Sequence, residues 1–313
     1  MVQLNLSLPT DFLQPEIRNE YFISTEMKKV WAVELDLLNK LLQVAQSHNI
    51  PLWVGDDTLL GTIRHQGMIP WDDDIDVIMF REDYDKLCRI APKEFVYPYF
   101  FQTSEIDPWS LRGHAQLRRS DTLGMLKGDS VKYPFNQGIF IDLFPIDNKV
   151  DDQSLFIKQL EKAKHYRGLA MTSRSVHFLS DKSLPAKKRI KRFIKKILIG
   201  NLYAANYFAR KETAYRTLYN NLQTDEIMEY VLAFDRKEKY VYNRQWFAQT
   251  VYPPFEFLTV PVPIGYEEIL TKVYGNWHEF VKGTSAHGGV IFNTEIGYKD
   301  YIKQVDTQIT NLR

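Results

Sequence analysis

Four aspartates fall within five residues in the run Ile69-Pro70-Trp71-Asp72-Asp73-Asp74-Ile75-Asp76-Val77, and no other feature constrains this chain as tightly. Like charges at such spacing repel strongly, so a fold that gathers them needs a cation to hold them together. From Asp74 to Met79 polar and apolar residues alternate, the pattern of a half-buried strand. On a strand Asp74 and Asp76 face the same way, roughly 7 Å apart along the chain. That arrangement suits a hard cation such as Mg²⁺ or Mn²⁺. Mg²⁺ takes one or two carboxylates together with phosphate oxygens and water. A third carboxylate from a neighbouring strand would complete the shell. Asp142 is well placed for it, mid-strand in the apolar run Ile139-Phe140-Ile141-Asp142-Leu143-Phe144, where an unpaired charge is costly. Plainer readings exist: Asp72 and Asp73 as a solvated turn, Asp74 as a cap, Asp142 as an ion-pair partner.

The rest of the chain supplies a core for such a site. With 313 residues, 44% hydrophobic and 25% charged, it is neither disordered nor too short to bury a core. A net charge of +1 gives no nucleic-acid footprint. The single Cys88 permits no internal disulfide and reads as a small buried hydrophobe on a helix. The N-terminus lacks a signal-peptide pattern, and no run of 18 or more apolar residues exists, so a cytoplasmic location is expected.

Periodicity predicts a helix over about 24–48, a strand at Pro51–Val54, and a helix opening near Thr58 with Asp56, Asp57 or Thr58 as its cap. Gly67 and Pro70 mark a turn. A helix from Arg81 to Ile90 and a strand ended by Pro145 follow. The stretch 151–235 reads as helical and polar, and Tyr266 to Tyr274 as a further helix. The order implies a mixed α/β core. We expect a catalytic core in 1–150, a helical, basic insertion in 151–250 and a C-terminal segment packing back on the core in 251–313. Within the insertion, Lys187 to Lys196 carries seven Lys or Arg around an apolar face of Ile190, Phe193, Ile194, Ile197 and Leu198. Such a helix usually packs its stripe on the core. Contact with an anionic membrane is the second reading, which would put the protein at the inner face of the membrane. Nucleic-acid binding is the least favoured.

Several blocks together resemble the LicD family, named for bacterial phosphocholine transferases and similar to the fukutin-type ribitol-phosphate transferases. They are Gly55 to Gly61, Ile63-Arg64-His65-Gln66-Gly67-Met68-Ile69-Pro70-Trp71-Asp72-Asp73-Asp74-Ile75-Asp76, and Arg81-Glu82-Asp83-Tyr84. Ile141-Asp142-Leu143-Phe144-Pro145-Ile146-Asp147 and Tyr274-Gly275-Asn276-Trp277 extend the match. The resemblance covers about 25–150 and resumes at about 255–280. It implies a nucleotidyltransferase-like α/β (α+β) fold, a short mixed sheet flanked by helices. It also implies that Asp74, Asp76 and Asp142 hold Mg²⁺ and that Thr58 starts the helix receiving phosphate. One departure stands out: Asp57 occupies the position where members usually carry a Gly, with Asp56 before it.

The implied reaction moves a substituted phosphate, phosphocholine or a polyol phosphate, from a CDP-activated donor to a hydroxyl of a cell-surface glycan precursor, lipid-linked or free. CMP is released. Arg64 offers a planar fork for phosphate. Gly61, His65, Trp71 and Arg118 are further substrate-side candidates, and Arg118 equally suits a solvated edge strand. Asp72 or Asp73 could accept the proton of the attacking hydroxyl. His287 in the Gly-rich tail could close over the donor. A phosphocholine donor calls for an aromatic box, with Trp53, Trp71 and Trp109 as candidates. Rival readings are a metal-dependent glycosyltransferase, a true nucleotidyltransferase, or a non-catalytic peripheral membrane protein whose acidic loop binds Ca²⁺.

Overall fold

The computed structural model describes residues 1–126, 129, 133–177, 185–233, 238–283 and 289–311. The first apolar stripe forms helix α1, Thr25–Ser47, started by the Ser24 hydroxyl, which accepts from the Met27 N–H at 3.2 Å. Its middle, Val30 to Leu38, is buried all round rather than on one face. The N-terminal segment lies over the outer side, where the N–H groups of Asn5 and Leu6 donate to Asp36 at 2.8 and 2.9 Å. Trp31, Leu35, Leu37, Leu38 and Leu41 are wholly buried, and each contributes roughly 1.5–3 kcal/mol to the core.

Strand β1 (Trp53–Val54), helix α2 (Asp56–His65), strand β2 (Asp76–Phe80) and helix α3 (Arg81–Glu94) come next. Then follow β3 (Tyr99–Gln102), β4 (Ala115–Arg119), β5 (Leu123–Leu126) and the long β6 (Ile139–Asn148). Among the described residues, β6 is the spine of a mixed seven-stranded sheet. On one side β2 runs parallel to it with Asp76 opposite Asp142, and β1 is antiparallel beyond. On the other side β4 pairs with residues Ile139–Leu143 of β6, with β3 outside it. β7 (Glu226–Met228) pairs with the end of β6, and β8 (Val241–Asn243) lies outside that.

Three expectations change here. The strand expected from Asp74 begins at Asp76, the first residue of β2. Pro145 does not end β6. Pairing with β4 stops at Leu143 and pairing with β7 starts at Asp147, so the missing proline N–H falls in the gap between them. The helical run ends at Arg216, well before 235: after α4 (Gln153–His177), α5 (Ala186–Ile199) and α6 (Leu202–Arg216) the chain returns to the sheet through β7 and β8. Strands of three residues are too short for a period of two to show.

Helix α5 also departs from the favoured reading. None of its residues is buried, and Ile190, Phe193, Ile194, Ile197 and Leu198 are between 51% and 70% exposed. The apolar stripe faces solvent instead of the core. Among the described residues no helix is long and apolar enough to cross a membrane. Helix α7 (Tyr266–Tyr274) packs on α2, strand β9 (Val290–Asn293) pairs antiparallel with β5, and helix α8 (Tyr298–Asn311) follows. His287 lies outside the described residues.

Candidate active site

The acidic site is assembled by a helix start, a clamped turn and two parallel strands. Helix α2 begins after Gly55, whose N–H donates to the Asp76 carbonyl at 3.0 Å. The cap is therefore Gly55, without a side-chain bond, rather than Asp56, Asp57 or Thr58. The Thr58 hydroxyl accepts from the Asp76 N–H at 2.8 Å, fixing the start of β2 against α2. Gly61 lets the following turn come close: a Cβ there would lie 2.6 Å from the Gly67 carbonyl oxygen. Glu256 accepts from the Met68 N–H at 2.9 Å and pairs with Arg18, which also donates to the Met68 carbonyl. The Trp31 indole N–H donates to the Asp72 carbonyl at 3.1 Å. These bonds hold the loop that delivers Asp72, Asp73 and Asp74.

Carboxylate oxygens of Asp74, Asp76 and Asp142 lie within 4.8 Å of one another, and so do those of Asp72, Asp73 and Asp74. The parallel register supplies the Asp76–Asp142 pair, and Asp74 reaches it from the loop just before β2. Asp72 and Asp73 are 7% and 8% exposed, so the solvated-turn reading gives way to a buried loop. Burial, then Asp142, Asp73 and Asp57 nearby, push Asp74 up to about 8, against a hydrogen bond with Asp72 that lowers it. Burial and the neighbouring aspartates hold Asp72 and Asp76 well above the usual carboxylate range. Carboxyls so raised are short of positive charge, and an all-oxygen cluster of this size fits a hard divalent cation.

Asp142 behaves differently. Burial raises it, but the His114 ring nitrogen at 3.0 Å and the Gln116 amide at 2.6 Å outweigh that and bring it below the ordinary value. Gln116 is oriented in turn by Arg118, whose three nitrogens donate to Gln102, the Gly138 carbonyl and Gln116. Arg118 is wholly buried on an interior strand, so the solvated-edge reading fails. Burial, then the charge of Arg112, brings its guanidinium down to about 9.

Arg64 points its Nη1 at the carbonyls of Trp277 (3.2 Å) and Glu279 (3.0 Å), and its guanidinium lies 5.1 Å over the Phe280 ring. His65 accepts from Arg64 at 3.0 Å and contacts Asn19 at 3.1 Å. Burial, then the charges of Arg64 and Arg18, bring it down to about 4, which leaves the ring neutral at pH 7. Trp71 is half-buried, edge-on to Tyr21 and His65. Trp53 sits in the core against Phe80 and Phe247. Trp109 lends its carbonyl to Arg174.

The sequence reading missed Glu34, His114 and Gln116. Glu34 looks like one more position in the stripe of α1, yet both its carboxylate oxygens are buried without a hydrogen-bond partner. Burial, then Asp73, Asp74 and Asp72, hold it well above the usual range. Only the odd charge in an apolar stripe could have singled it out. His114 and Gln116 gain meaning from the β4–β6 register, which no local pattern reveals.

Residues 49–181 match the family described as LicD/FKTN/FKRP, nucleotidyltransferase domain. The chain is 24% identical over 243 residues to the lipopolysaccharide cholinephosphotransferase LicD of Haemophilus influenzae, covering 78% of this chain and 88% of that protein. Over 57 residues it is 40% identical to an uncharacterized protein of Rickettsia prowazekii, covering 18% of this chain and 21% of that one. A second uncharacterized protein, from Rickettsia typhi, is 39% identical over 57 residues, 18% of each chain.

Proposed function

We propose that the protein is a LicD-type phosphotransferase, a reading supported by the match of residues 49–181 to the LicD/FKTN/FKRP nucleotidyltransferase-domain family. Its reaction moves a substituted phosphate from a CDP-activated donor to a hydroxyl of a glycan. The observation that carries this reading is the meeting of Asp74, Asp76 and Asp142 beside the start of α2. The Haemophilus relative, by its name a cholinephosphotransferase acting on lipopolysaccharide, supports phosphocholine as the group moved and a glycan as its acceptor.

Asp74, Asp76 and Asp142 would hold Mg²⁺. When bound, the ion neutralises charge on the donor's diphosphate and on the departing nucleotide. The remaining work falls to the chain. The clamped turn and the Gly61–Gly67 contact keep the carboxylates in place. Gln116 and His114 orient Asp142. As the acceptor oxygen bonds to phosphorus and the phosphoanhydride bond to CMP breaks, the acceptor's proton needs a base. Asp72 or Asp73, both buried beside these carboxylates, would take that proton once a bound cation favours their ionised form. Calorimetry with CDP-choline, CDP-ribitol, CDP-glycerol and a UDP-sugar, each with and without Mg²⁺, tests the reading. The expected outcome is Mg²⁺-dependent binding of a CDP compound. Binding of the UDP-sugar alone would replace it with sugar transfer.

Helix α5 supports a lipid-linked acceptor at the membrane. Seven basic residues and a solvent-facing apolar stripe fit an anionic bilayer, where each Lys or Arg near the surface contributes about 1 kcal/mol. Co-sedimentation with vesicles containing phosphatidylglycerol is expected. A Phe193→Ser/Ile197→Ser variant should bind at least tenfold more weakly. Equal binding to neutral phosphatidylcholine vesicles would rule this contact out.

A further inference from the structure

A cavity of about 390 Å³ opens between helix α3, the segment after β3 and helix α6, within the roughly 300–1,000 Å³ of ordinary ligand sites. His114, just before β4, lines it, and the Nε2 of the same ring lies 3.0 Å from Asp142. One imidazole therefore separates the cavity from the carboxylate cluster. The wall contributed by α6 is firmly fixed. Arg216, wholly buried, donates from α6 to the Gly113 carbonyl at 2.8 Å and pairs with Glu212 at 3.4 Å. Glu212 also accepts from Arg167 of α4 at 3.3 Å. Gly113 itself takes a φ of 88°, which favours glycine, so the chain can turn there into His114.

The lining selects among ligand classes. Arg81 and Arg210 are balanced by Asp85 and Glu105, so the cavity carries no net charge to draw in a phosphate or an ammonium. Arg81 is held by Asp147. Among the described residues, neither Arg210 nor Glu105 is engaged in a hydrogen bond or an ion pair. One therefore offers donors and the other acceptors to a ligand between them. Ser104 and Thr213 bring hydroxyls, and Ala214 and Cys88 bring apolar surface. An uncharged saccharide fits this mixture, because its hydroxyls both donate and accept while its C–H groups rest on apolar atoms.

We infer that the cavity between α3 and α6 is the subsite that holds a neutral sugar ring of the acceptor beside Asp142. The inference rests on the transferase reading and adds the place of the acceptor, with Arg210 and Glu105 as the residues that select it. The arrangement of the strands supports it. The start of α2, bonded through Thr58 to Asp76, meets the carboxylates from the β2 side. The cavity meets them through His114 from the β4 side. In-line displacement needs the attacking and leaving oxygens on opposite sides of phosphorus, and approach from two different strands provides that. Helix α6 lies outside residues 49–181, so the match to the family model does not imply this subsite.

Saturation-transfer NMR without nucleotide or metal provides the test. The probes are methyl β-galactoside, methyl β-glucoside and methyl N-acetyl-β-glucosaminide, with choline and inorganic phosphate alongside. Wild type should bind at least one glycoside and neither of the two ions. Arg210→Ala should weaken that glycoside about tenfold, the loss of one charge-assisted hydrogen bond. Ala214→Trp, which fills the cavity from an exposed position on α6, should abolish it. No glycoside binding, binding untouched by both variants, or a preference for choline or phosphate would overturn the subsite. Mg²⁺-dependent binding of CDP compounds, measured by calorimetry in parallel, should be the same in wild type and Ala214→Trp. If it is, and no sugar binds, the subsite is wrong while the transferase reading stands. If the sugar binds as expected but no CDP compound binds wild type, the transferase reading falls and the acceptor role with it. Thermal melts check folding, and should Ala214→Trp misfold, Arg210→Ala carries the test.

Discussion

An Asp76→Asn variant is expected to lose about 10³-fold in kcat/KM, together with Mg²⁺-dependent nucleotide binding, and yet to melt no lower than the wild type. On the proposed reading, the activity loss follows from removing a central carboxylate of a site whose cation would stabilise several kcal/mol of transition-state charge. The stability effect follows from the opposite side of the same arrangement. Burial and the charges of Asp74, Asp56, Asp142 and Asp57 hold Asp76 well above its ordinary value, so its ionised form is unfavourable in the metal-free fold at pH 7. An amide of the same shape relieves that. Asp142→Asn should abolish activity equally but lower the melting temperature. His114 and Gln116 bring its folded value below the ordinary one, so Asp142 contributes stability above that value and loses it as pH falls. Activity assays and metal-free melts of both variants check the pair. Retained activity in Asp76→Asn would remove this residue from the site, and a destabilised Asp76→Asn would contradict the electrostatic account.

The difference between these two aspartates marks what the sequence conveyed and what it did not. The Asp-rich run and the lone Asp142 in an apolar strand were legible because buried charge is rare and conspicuous in a linear pattern. Their pairing rests on one register, Asp76 against Asp142, which no local pattern states; a lone charge in an apolar run and the family resemblance only pointed to Asp142 as a partner. The supports were not legible. Gln116 and Arg118 alternate along β4 and His114 stands just before it, but they acquire their roles only when β4 lies along β6. Glu34 sits where helical period alone predicts an apolar residue. Glu229 follows a three-residue strand, too short to carry a period, and the charge of Asp56, from a distant part of the chain, acts on it. The basic helix misled for a related reason. Its amphipathic pattern is genuine, but nothing in a pattern says what covers the apolar face, and among the described residues no protein surface does.

The Arg81–Asp147 pair should prove the most important single ion pair for stability, and either Arg81→Ala or Asp147→Ala should lower unfolding free energy by about 3–5 kcal/mol. Both residues belong to the blocks that carry the family resemblance, although nothing in the linear chain joins them. In the fold Arg81 opens α3 and grips Asp147 near the end of β6 through Nε and Nη2, at 2.7 and 2.8 Å. Asp147 is wholly buried and also accepts from the Asn220 amide at 2.7 Å, so one carboxylate ties α3, the sheet and the segment after α6 together. Burial alone would lower the Arg81 guanidinium, but Asp147 more than reverses this and raises it above its ordinary value. Removing either partner strands the other charge in the interior, which is why the expected loss far exceeds that for a surface pair, about 1 kcal/mol or less. Replacing both at once, Arg81→Met with Asp147→Leu, should recover most of the loss, because no charge is then left unpaired. Urea melts of the two singles and the double form the cycle. Single losses under about 1 kcal/mol, or a double variant as unstable as the sum of the singles, would show that the pair does not hold these elements together.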